Sequence, residues 1–217
     1  MLDIRVIDKY LSSAVSDVQH RYRSWDHCFS AFSNSNENSK NLALHLGFYL
    51  ASWGMYRGSG GLLQKNHLIH EGAVKIILSD EYRTLRCGNG NDVNEKSIPL
   101  ILQIKKALSN HYKAIQFKRK NKEQPISDTD TLLSKILLGT TGCVPAWDRY
   151  FIEGLKSQGI RKCDFNQYSL QDLFQFIQSN KQQFENCQKT IKDKLGFVYP
   201  MMKLVDMYFW QIGFDSE

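Results

Sequence analysis

Apolar residues recur three and four positions apart along most of this chain, and no stretch alternates convincingly with period two. That spacing places them on one face of a helix, so the chain reads as successive amphipathic helices. Ile4, Ile7, Leu11, Ala14, Val15 and Val18 form the first stripe; Trp25, Cys28, Phe29 and Phe32 continue the pattern. Four prolines in 217 residues leave the runs largely unbroken. The expectation is an all-α, compact multi-helix fold of about eight to ten helices. It is read as a single helical domain over 1–217, with a candidate subdivision into 1–120 and 130–217 around a polar linker, 121–129.

In order, 3–33 reads as one long helix or two consecutive ones. A helix over 40–55, with Ser39 able to cap it, is apolar nearly all round, which predicts central burial. Tyr56 to Gly61 is a glycine-rich turn leading into a helix over about 62–78. Cys87 to Asp92 is a turn cluster, either a surface loop or a hinge or lid. Pro99 opens a helix expected over 98–119. Ser169, with Asp172 at its N3 position, reads as a cap. Gly196 ends that helix, and Pro200 begins an apolar last one.

The formal charge of +6 and pI near 9.0 favour an acidic partner such as DNA or another polyanion. The N-terminus has no continuous apolar region, and no window approaches a membrane span, so no membrane partner is expected. Five scattered cysteines without a CxxC pair suit a reduced, cytoplasmic protein. His67 and His70 stand three apart beside Glu71 but lack a third ligand, so neither metal nor cofactor is expected.

The stretch from Asp130 to Gly154 holds the first candidate site. Leu132, Leu133, Ile136 and Leu137 make a helical stripe; Gly139, Thr140, Thr141 and Gly142 are expected to stop that helix, and Pro145 to open the next. Asp148 then falls in a first turn, beside Trp147, Arg149 and Tyr150. It is either a helix-start charge or a functional carboxylate. In the second case the amides of Gly139–Gly142 would hold a phosphate, and Trp147 or Tyr150 would stack on a splayed-out base. Arg57, Gly58 and Ser59 form a second candidate, an anion site or a plain helix connection. Lys118 and Arg119, at the expected end of the 98–119 helix, either complement its dipole or contact phosphate.

The runs Ser134–Leu138 and Val144–Arg149 resemble part of the helix-hairpin-helix base-excision DNA glycosylases, over about 20 residues in an all-helical chain. The resemblance maps the family's aspartate, which stabilises the sugar cation as the base leaves, onto Asp148. The family's Gly-x-Gly hairpin is replaced here by Ser127–Thr131. The lysine of the bifunctional members would fall near Thr131 or Leu132; Lys135 comes one turn later. No iron–sulfur cysteines occur. The resemblance therefore implies a monofunctional or inactive relative. The alternatives are a non-catalytic helical interaction module of a bacterial multi-protein system, with a protein partner, and a small-molecule enzyme holding an anionic substrate at Arg57–Gly61.

Overall fold

A computed structural model describes residues 2–33, 37–58, 60–87, 92–160 and 163–217. Within them the chain forms ten α-helices, several 3-10 turns and one β-hairpin. The helices are α1 (Ile4–Ser16), α2 (Arg23–Ser33), α3 (Ser39–Ser52), α4 (Glu71–Leu78), α5 (Ile98–Lys113), α6 (Asp130–Thr140), α7 (Arg149–Ser157), α8 (Gln167–Ser179), α9 (Lys181–Leu195) and α10 (Met201–Asp215). The hairpin, β1 (Gln116–Arg119) and β2 (Lys122–Pro125), lies between α5 and α6.

Side-chain oxygens start five of these helices by accepting the first free amides, those of Asp3, Asn38, Thr129, Asp148 and Asn166. Gly196, at φ 81°, closes α9. Helix α10 is buried on almost every side and packs against α1, α7, α8 and α9. Its approach to α7 is backbone to backbone. A Cβ on Gly154 would stand 1.9 Å from the Phe209 carbonyl oxygen, and one on Gly213 1.9 Å from that of Tyr150. Core residues from before and after the hairpin belong to one connected cluster.

Of the two readings of 3–33, the structure has two consecutive helices, broken where Asp17 leaves helical geometry. Several other boundaries differ from the expectation. Asn38, not Ser39, caps α3, and Asn166, not Ser169, caps α8. Helix α3 is not covered all round: Leu44 and Phe48, one turn apart, are 54% and 62% exposed. The helix expected over 62–78 is two 3-10 turns, Leu62–Gln64 and His67–His70, leading into the short α4. The turn cluster at Cys87–Asp92, read as a surface loop or as a hinge or lid, falls mostly on 88–91, outside the described residues.

The largest departure lies at 114–125. Helix α5 stops at Lys113, and the chain turns back on itself. Gln116 pairs with Pro125 and Arg119 with Lys122 in antiparallel register. Lys120 and Asn121 take φ of 48° and 61°, the double left-handed turn whose twist matches paired strands. The stretch 121–129 thus supplies a strand, and Ile126 beside it is fully buried. Ile126 and Ser127 donate their amides to the carbonyls of Ile115 and Gly60.

Candidate functional site

The connection between α6 and α7 is closed by its own hydrogen bonds. Helix α6 runs through Gly139 to Thr140, so the glycine does not stop it. Gly139 is needed for close approach instead: a Cβ there would lie 2.4 Å from the ring of Tyr49. Thr140 and Thr141 are buried, and their hydroxyls donate to the carbonyls of Ile136 and Leu137. The amides of Thr141 and Gly142 both donate to Leu137. Beyond them, the Cys143 amide donates to the Thr141 hydroxyl, that of Ala146 to Asp206 and that of Trp147 to the Ser134 hydroxyl. A phosphate approaching Gly139–Gly142 would meet a buried segment whose donors already have acceptors.

Asp148 is the residue before α7, not part of its first turn. One carboxylate oxygen accepts the Phe151 amide at 3.1 Å, as a helix cap. The other takes the Lys135 ammonium at 2.7 Å. Lys135 is 3% exposed and its ammonium lies 4.9 Å over the ring of Trp53. The lysine set aside as one turn too late in the sequence is therefore the direct partner of the aspartate. Chemically the pair joins a carboxylate that can stabilise a cation with an amine that is a nucleophile once deprotonated. In the folded chain each neutralises the other.

The remaining predicted residues scatter. Trp147 is 1% exposed and stacks on Phe165 at 4.5 Å, so its ring belongs to the core and offers no face to a base. Arg149 and Tyr150 both reach the side chain of Glu217, which Tyr150 meets at 2.7 Å. Arg57 and Gly58 are exposed, while Ser59 lies outside the described residues. The turn at Arg57–Gly61 leads into a three-residue 3-10 turn, without the long helix whose dipole the anion reading needs. Gly61 packs under the hairpin, where a Cβ would stand 2.4 Å from the Phe117 ring.

Lys118 and Arg119 sit on β1, not at a helix end. With Lys120 and Lys122 they place four exposed cations within five positions of the hairpin. Among the described residues, none of the four lies within 4 Å of a carboxylate. Lys113 does not belong to this group, because Asp128 holds it at 2.9 Å.

Two further polar centres are absent from the sequence reading, at Lys203 and Asp26, and a third forms around His70, which was read there only for metal binding. Lys203 is buried and bonds Asp206 at 3.0 Å, with its ammonium over Tyr10 and Trp25. Asp26, buried beside Arg23 and Tyr199, has its carboxyl pushed up by burial. His70 is fully buried, and its ring nitrogens meet the hydroxyls of Tyr56 at 2.8 Å and Tyr112 at 2.7 Å. Burial lowers its pKa to about 3, so the ring is neutral. The only sequence signal for these centres was a polar residue on an apolar helical stripe. All five cysteines are free thiols, and burial pushes that of Cys143 up to about 12. Among the described residues no three His, Cys, Asp or Glu side chains could hold a metal ion, and no helix is long and apolar enough to cross a membrane. No protein family, curated protein or solved structure matches the chain.

Proposed function

We propose that this is a nucleic-acid-associated helical protein that meets the phosphate backbone with its β-hairpin. The observation that carries the reading is the group Lys118, Arg119, Lys120 and Lys122, exposed and without carboxylate partners among the described residues. Glu123 stands opposite Lys118 in the strand register, but Arg119 stands opposite Lys122, a pair of like charges that a phosphate would relieve, and each phosphate neutralised releases counterions. Of the two states the glycosylase resemblance allows, the inactive one is the better supported. Both oxygens of Asp148 are engaged, and no aromatic ring next to it in sequence is free to stack on a base. Binding to a fluorescein-labelled DNA duplex, followed by anisotropy against salt, tests this. Four phosphate contacts predict a log–log slope of about −3.6. Replacing the four cations with serine should flatten that slope, and Asp148→Asn should leave it unchanged. No binding at low salt, or an unaltered slope in the serine variant, would remove the proposal.

A further inference from the structure

Between the start of α2 and the end of α3 lies a groove of about 270 Å³, independent of the hairpin. Its apolar lining is Val18, 78% exposed, and Phe48. Phe48 continues onto Leu44 along the uncovered face of α3. Exposed bulky side chains grouped around a concavity mark an interaction site more often than scattered ones do. The volume falls just under the roughly 300–1,000 Å³ usual for whole small molecules, and suits one inserted side chain.

The polar lining has one sign. His20, Arg21, Arg23 and His27 border the groove, and no carboxylate lines it. Arg23 is engaged by the buried Asp26 at 3.0 Å. Arg21 carries the uncompensated charge: no carboxylate lies within 4 Å of it among the described residues. Its guanidinium lies 5.5 Å over Tyr22 and 5.3 Å over Trp53. These rings and a side-chain hydrogen bond to Tyr22 hold the guanidinium at the groove, and its remaining N–H groups can meet a carboxylate. Ser24, at the groove, is 4% exposed, and its hydroxyl has no hydrogen-bond partner among the described residues.

We infer that this groove docks an acidic segment of a protein partner. One apolar side chain of that segment packs on Phe48 and Val18, and a flanking carboxylate pairs with Arg21. A phosphate backbone would match the arginine but offers nothing aliphatic to cover Val18. The probe is a fluorescein-labelled, glutamate-rich peptide with one central Phe-Leu pair, titrated with the full chain. Sub-millimolar binding is expected, weakened at least about tenfold when the pair is replaced by Ser-Ser, and likewise by Phe48→Ser or Arg21→Glu. Both positions are exposed, and circular dichroism checks that the variants fold. The hairpin serine variant should bind the peptide as the wild type does. Affinity weaker than about 1 mM, indifference to Phe48→Ser, or displacement of the peptide by a DNA duplex would each overturn the inference.

Discussion

The seam between α7 and α10 makes a demanding prediction for Gly154→Ala. The new methyl carbon would start 1.9 Å from the Phe209 carbonyl oxygen. Contact between such atoms needs about 3.5 Å, so the helices must part by roughly 1.5 Å at the crossing. The obstacle is backbone, and no change of rotamer relieves it. Overpacking of this kind costs about 1–3 kcal/mol, and a rigid neighbour argues for the top of that range. Alanine's better helix propensity returns up to about 1 kcal/mol, leaving a net loss of about 2 kcal/mol. In a chain of this length that lowers Tm by about 4–8 °C. Thermal melts by circular dichroism measure the shift, and urea titration measures the free energy. Gly213→Ala, whose methyl would meet the Tyr150 carbonyl, should behave alike. The double variant should lose less than the sum, because either methyl alone parts the same two helices. Coincident melts for Gly154→Ala and wild type, or strictly additive losses, would show that the helices do not meet at this pair.

Three smaller predictions follow from other sites. His70 is held neutral when folded, with its pKa near 3, whereas an unfolded histidine takes up a proton near 6.5. Stability should therefore be full above about pH 6.5 and fall as pH drops toward 3, by at most about 1.4 kcal/mol per pH unit. His70→Gln should flatten this part of the profile of urea midpoint against pH; an unchanged profile refutes the assignment. Asp148→Asn keeps a capping oxygen but strands the Lys135 ammonium, at a cost of about 3 kcal/mol in chemical denaturation. Adding Lys135→Met should recover most of that, and failure to do so would point to a role for the aspartate beyond the pair. Asn121→Gly should be neutral or slightly stabilising, while Asn121→Val should cost about 1–2 kcal/mol, since a branched side chain resists the left-handed turn. Equal melts for the two would contradict the hairpin geometry.

The helical class and the last helix were legible because their signals are local. Pro200 and Gly196 mark a start and a stop, and the apolar spacing from Met201 onward survives any tertiary context. The hairpin was not legible. Its turn is Lys120-Asn121 rather than a glycine pair, and only Phe117 of β1 is buried, so four residues gave no period to detect. Gly139 looked like a helix stop, whereas the ring of Tyr49, 90 residues away, is what requires it. The capping role of Asp148 was among the readings its position allowed. Its pairing with Lys135 was not, because that depends on the path of a connection fixed by Ser134, Thr131 and Asp206. Periodicity also marked both faces of α3 as apolar without revealing that Leu44 and Phe48 would remain uncovered.

The hairpin is rooted firmly, since Ile126 and Ser127 tie its base to Ile115 and Gly60 while Phe117 is buried against Gly61. Its strands are four residues long and extend about 13 Å. That length covers the axial rise of about four phosphates of one DNA strand. On the proposed reading the arm works as a short, stiff ruler with a small footprint, so a long duplex would accept many copies side by side. Its occupancy would then be set by the bulk of the helical body and not by the reach of the charged tip.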